Sequence, residues 1–74
     1  PWPERADDGT VTVLFTHPMC SECQEWKARL ADDPAAVIVD VRERPELARR
    51  YGILLVPMAF LARADGRVLK QLGP

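Results

Sequence analysis

The sequence predicts an α/β fold built on a small mixed sheet, and three observations predict it. Two near-continuous apolar runs, residues 10–16 and 36–41, read as strands buried on both faces. A helical pattern lies between them, so they form a parallel pair joined by a right-handed crossover. In the last third of the chain Met58, Phe60 and Ala62 oppose Ala59, Leu61 and Arg63, and Val68, Lys70 and Leu72 oppose Leu69 and Gln71, so the two segments on either side of the turn signal Asp65-Gly66 read as an antiparallel hairpin.

Taken in order, Pro1 to Gly9 is a polar lead-in with prolines and charges, and its Trp2 is expected to plug the surface or meet a partner. The first strand spans Thr10 to Thr16. The first helix begins near Cys20 or Ser21, and Cys23, Trp26, Lys27 and Leu30 recur at i, i+3, i+4 and i+7. Trp26 is read as core, with the stem of Lys27 lying along the same stripe. Pro34 ends the segment, because the residue before a proline avoids the helical region. The second strand, Ala36 to Val41, again looks buried. The second helix starts around Pro45, a residue suited to a first helical position. Leu47, Ala48 and Tyr51 should face the core, and Gly52 suits a left-handed cap. Ile53-Leu54-Leu55-Val56-Pro57 then leads into a third strand, Met58 to Arg63. A two-residue turn at Asp65-Gly66 returns a fourth, Arg67 to Leu72.

Size and composition narrow the function. A chain of 74 residues makes a single domain, residues 1–74, with a modest core. Its 47% apolar and 28% charged residues exclude a disordered chain, and a net charge of −1 sets up no field for nucleic acid or anionic lipid. No apolar run approaches the roughly 20 residues that span a bilayer, so no membrane role is expected. No signal peptide is visible. Two cysteines do not make a disulfide-stapled scaffold, but their spacing is informative. Cys20-Ser21-Glu22-Cys23 sits where the first strand hands over to the first helix. Cysteines at i and i+3 on a first helical turn share a face, with Cα atoms roughly 5–6 Å apart, which suits a disulfide. The helix N-terminus also stabilises a thiolate. A zinc site is the competing reading, but it needs about four ligands and the vicinity offers only Cys20, Cys23, His17 and carboxylates.

The order strand, Cys20-Ser21-Glu22-Cys23, helix, strand, helix, Tyr51-Gly52-Ile53, Val56-Pro57, hairpin around Asp65-Gly66-Arg67-Val68, then Gly73, resembles the thioredoxin superfamily over residues 10–74. The resemblance implies a minimal thioredoxin-like fold, a four-stranded mixed sheet in the order 2-1-3-4 with the C-terminal helix absent. It also implies a cis Val56–Pro57 peptide facing the cysteines, with the Val56 backbone presented to a substrate. This sequence departs from thioredoxins proper. Met19 replaces Trp before the first cysteine, Ser21-Glu22 replaces Gly-Pro, and Leu14 stands where a buried acid is usual. Size and helix length lean toward a glutaredoxin-like version, but the glutathione signature is not evident.

The chemistry expected is thiol–disulfide exchange with protein disulfides. Cys20 at the helix start is the nucleophile, and Cys23, one turn in, the resolving thiol. His17 would stabilise the thiolate if its ring reaches the sulfur; otherwise it is a loop histidine. Glu22 opposes the thiolate by charge yet suits the helix dipole, so its net sign is open. Met19 is an adaptable partner contact or a rim residue. The partners implied are a protein disulfide and a thiol reductant or reductase, with no cofactor, a monomeric state and a cytoplasmic location. The alternatives are a copper or other thiophilic metal carrier and a redox-sensing module of a larger assembly.

Overall fold

The structure is a computed structural model and describes residues 2 and 9–73. The polar lead-in read for residues 1–9 therefore lies mostly outside the described residues. The elements follow as β1 (Thr10–Thr16), α1 (Ser21–Leu30), β2 (Ala36–Asp40), α2 (Pro45–Arg50), β3 (Met58–Arg63) and β4 (Val68–Gly73). They form one sheet in the order β2-β1-β3-β4. β1 pairs with β2 in parallel and with β3 antiparallel, and β3 pairs antiparallel with β4. This is the α/β arrangement and strand order that the resemblance implied.

β1 is the centre of the sheet, and its apolar run is explained by burial on both faces: Val11, Val13, Leu14 and Phe15 have no exposed surface. Successive side chains point to opposite faces. Val11, Val13 and Phe15 therefore share one face, where they cluster with Val39, Phe60, Ala62 and Leu47 of α2. Leu14 points to the other face, together with its register partner Ala59, which pairs in turn with Gly73. A Cβ at Gly73 would lie 2.7 Å from the Trp26 ring. The helix α1 therefore packs on the Leu14 face, and α2 on the opposite one. Trp26, read as core, is half-buried, and close packing on Gly73 is what its ring requires.

Four expectations need correction. Trp2 does not plug the surface. It is 7% exposed, its ring stacks on Tyr51 at 5.7 Å, and its backbone N–H donates to the Ala64 carbonyl at 2.9 Å. The aromatic layer it completes also holds Phe15 and Phe60. β2 is not buried on both faces either. It lies at the sheet edge, only Val39 is buried, and Ile38 is 45% exposed. The hairpin is not closed by a two-residue turn. Arg63 N–H donates to the Arg67 carbonyl at 2.8 Å and Gly66 N–H to the Arg63 carbonyl at 2.9 Å, so the loop is Ala64-Asp65-Gly66. Gly66 takes φ +104°, as a three-residue loop with a glycine bulge demands. β4 accordingly starts one residue late, at Val68, and Val68 to Leu72 are all exposed.

Candidate functional site

β1 ends at Thr16, and a tight turn carries the chain into α1. The Cys20 N–H donates to the His17 carbonyl at 3.0 Å, and the Met19 N–H donates to His17 Nδ1 at 3.0 Å. Cys20 has extended backbone angles, φ −96° and ψ 109°, and is the N-cap of α1. Its Sγ accepts the Cys23 N–H at 3.1 Å. A sulfur thus does what a Ser or Asp oxygen does at most helix starts, satisfying one of the donors that a first turn leaves without an intrahelical partner.

Cys20 and Cys23 are joined by a disulfide with their Cα atoms 5.3 Å apart, within the span expected from an i, i+3 pair. The two are unequal. Cys23 has no exposed surface and faces the sheet beneath α1, whereas Cys20 is half-buried. Glu22 is exposed in the first turn of α1, where a carboxylate suits the helix dipole.

The Val56–Pro57 peptide is cis. Pro57 is buried and Val56 packs at the edge of the aromatic layer. Met58, the next residue, lies opposite Phe15 in the β1–β3 register. Pro57 therefore sits at the end of the sheet from which Cys20 emerges. The structure joins the two cysteines by a bond and brings Pro57 to that same end.

Sequence reasoning passed over two features. Leu54 and Leu55, immediately before Val56, are 92% and 74% exposed, and they join Met19, already singled out from the sequence and 87% exposed beside Cys20. These are the large apolar side chains most open to solvent among the described residues. A Leu-Leu pair in a short segment with no helical period is the signal that would have found them. The second feature is Thr16, 3% exposed, whose Oγ1 has no hydrogen-bond partner among the described residues. It lies on the Leu14 face at the dithiol end of β1. Among the described residues no group of three or more His, Cys, Asp or Glu side chains could hold a metal ion. A displaced titration stands in the first turn of α2, where a 2.7 Å hydrogen bond from Arg44 Nε holds the exposed Glu46 carboxyl below its ordinary range.

No protein-family model matches the chain, and no curated protein does. Solved structures do. A mutant thioredoxin from Halobacterium salinarum superposes with a TM-score of 0.69 at 30% identity, over 89% of this chain and 62% of that one. The oxidised C-terminal domain of DsbD from Neisseria meningitidis gives 0.66 at 26% identity, over 88% and 67%. The first thioredoxin domain of a mouse protein disulfide-isomerase gives 0.66 at 23%, over 90% and 54%, and at that identity it bears on the fold alone. Fold and site together define a small α/β domain with a CxxC disulfide at a strand–helix junction. The chain has a minimal thioredoxin-like fold, and it spans less than two thirds of the halobacterial thioredoxin it resembles.

Proposed function

We propose that the domain is a thiol–disulfide oxidoreductase that exchanges its Cys20–Cys23 dithiol with protein disulfides. The observation that carries the reading is the inequality of two bonded cysteines on one helical turn: Cys20 half-buried at the N-cap, Cys23 sealed beneath it. In the reduced protein the Cys20 thiolate accepts the Cys23 N–H and feels the helix dipole, both of which favour the ionised form. It attacks one sulfur of a substrate disulfide, forming a mixed disulfide and releasing the other substrate sulfur as a thiolate. The Cys23 thiolate then attacks Cys20 Sγ, releases the substrate's second thiolate and closes the Cys20–Cys23 bond. Two electrons pass to the substrate, and a thiol reductant or reductase restores the dithiol.

Met19, Val56 and Pro57 line the approach, with Val56 offering backbone groups and the exposed Leu54 and Leu55 extending the apolar rim. His17 organises the turn before Cys20 by accepting the Met19 N–H. Glu22 acts on the Cys20 thiolate by charge, in the opposite sense to the dipole.

The test is reduction of a protein disulfide by the chain with excess thiol supplied. Cys20→Ser should abolish turnover, and Cys23→Ser should accumulate a mixed disulfide at Cys20, visible by mass spectrometry. Full turnover by Cys20→Ser, or no trapped species in Cys23→Ser, would overturn the assignment. No specific observation favours the metal-carrier reading.

A further inference from the structure

An open four-stranded sheet has two edges, and in this chain they differ. β4 carries Lys70 in mid-strand and two register shifts against β3, between Ala59/Phe60 and Leu61/Ala62. Lysines and bulges are the usual devices that keep an edge from pairing with another chain. β2 has neither. Its sequence is Ala36-Val37-Ile38-Val39-Asp40, and its register with β1 runs unbroken from Thr12↔Ala36 to Thr16↔Asp40.

The backbone groups along this edge form a defined set. Thr12 N–H donates to the Ala35 carbonyl and Val41 N–H to the Thr16 carbonyl, so residues 35, 37, 39 and 41 point their backbone groups at β1. Ala36, Ile38 and Asp40 therefore point theirs outward. Two of those six groups are already used: Ala36 N–H donates to the Asp33 carbonyl, and the Asp40 carbonyl accepts from Glu43 and Arg44 N–H. Among the described residues that leaves the Ala36 carbonyl, both groups of Ile38 and the Asp40 N–H without a strand to meet.

We propose that this edge pairs with the same edge of a second copy of the chain, antiparallel about a two-fold axis through Ile38, to make a continuous eight-stranded sheet. In that register Ile38 exchanges both of its hydrogen bonds with Ile38 of the second copy. Each Asp40 N–H meets the Ala36 carbonyl across the axis. The other half of the Ala36/Asp40 pairing would need Ala36 N–H and the Asp40 carbonyl, the two groups that local turns already satisfy. The free groups are thus self-complementary in one register, and no outward group is left over.

Side chains agree with the same register. Ile38, 45% exposed, covers its symmetry mate on one face. On the other face Val37 lies beside Val39 of the second copy. There a cavity of about 320 Å³, lined by Trp2, Val37, Val39 and Leu47 among others, leaves room along the edge. Charges are complementary as well. Asp32 and Asp33 precede β2, and Arg42 follows it, 61% exposed and only 3.9 Å from Asp40. Antiparallel pairing brings the Arg42 end of each copy toward the Asp32-Asp33 end of the other. This reading replaces the monomer expected from sequence and does not depend on the exchange chemistry. Because β2 runs parallel to β1, the two dithiols lie at opposite ends of the joined sheet, and both stay open.

The test uses the full 74-residue chain across a range of concentrations. Sedimentation should show reversible dimers, and hydrogen exchange at the Ile38 and Asp40 amides should slow as concentration rises. The Val37 and Val39 amides, bonded to β1, should be protected throughout. Ile38→Lys sets two ammonium groups face to face on the axis and should weaken association about tenfold or more, with dithiol turnover unchanged. In a Cys20→Ser/Cys23→Ser background, Ile38→Cys should oxidise to a covalent dimer and Ala36→Cys should not, since only residue 38 meets itself. A chain that stays monomeric, a dimer indifferent to Ile38→Lys, or preferential cross-linking at position 36 would each overturn the proposal. So would Ile38 and Asp40 amides protected equally at high dilution, which would mean that the chain's own lead-in covers the edge.

Discussion

The two faces of the sheet are built differently. One is a closed layer in which Val11, Val13 and Phe15 pack against Phe60, Tyr51 and Trp2, their rings 5.4 to 6.2 Å apart. The other is a single helix laid over Leu14 and Ala59, sealed by Cys23 at one end and by Trp26 on Gly73 at the other. The first face carries aromatic and branched aliphatic bulk and none of the proposed redox groups. The second carries the disulfide and little apolar bulk. Burial drives folding in proportion to area, so most of the stability must come from the aromatic face, while α1 needs only enough packing to hold a cysteine pair in place.

The largest effect should come from breaking the aromatic face. Phe15→Ala removes a ring with no exposed surface and should cost about 3–5 kcal/mol. A domain of this length has roughly 4–11 kcal/mol to lose. Denaturant unfolding of the oxidised protein should show the midpoint falling steeply. A loss below about 1 kcal/mol would mean that the two faces contribute alike.

A second variant attacks the helix face without touching a cysteine. At Gly73 any Cβ would meet the Trp26 ring at 2.7 Å, so Gly73→Ala must displace the ring and should loosen the seat of α1 on the sheet. Overpacking of this kind costs about 1–3 kcal/mol. Exchange with a protein disulfide should slow more than the loss of stability alone predicts, because the displaced element is the one that positions Cys23. Unaltered exchange kinetics would show that Trp26 is only a surface cover.

The same contrast explains what could be read from the sequence. The dithiol face was legible because its signals are local: two cysteines at helical spacing, a strand before them, a Val-Pro before the third strand. The N-cap position of Cys20 and the burial of Cys23 sit where those signals put them, whereas the cis Val56–Pro57 peptide was implied only by the family resemblance. The aromatic face was less legible. Trp2 lies in a stretch whose prolines and charges read as solvated, and its burial exists only because Tyr51, far along the chain, presents a ring to stack on. β2 misled in the opposite direction. Its apolar run is like that of β1, but whether such a run is buried depends on which strands flank it, and strand order is not written in five residues. The Asp65-Gly66 pair was read as the whole turn, when pairing of Arg63 with Arg67 draws Ala64 into the loop.

The smallest expected effect lies between the two regions, at Thr16. Its hydroxyl is buried on the helix face with no partner among the described residues, a state that costs roughly 1–3 kcal/mol of lost solvation. Valine has nearly the same shape and nothing to satisfy. Thr16→Val should therefore stabilise the oxidised protein by about 1 kcal/mol, while Thr16→Ser, which keeps the orphan hydroxyl, should not. The comparison becomes sharper in the reduced protein. Bond cleavage frees two sulfurs at this end of the sheet to accept hydrogen bonds. If the hydroxyl finds such an acceptor, Thr16→Val will stabilise the disulfide form more than the dithiol form and make the couple more reducing, by about 30 mV for each tenfold difference. Equal stabilisation of both forms would mark Thr16 as packing alone, and would leave the sulfurs as the only groups on that face that respond to the electrons.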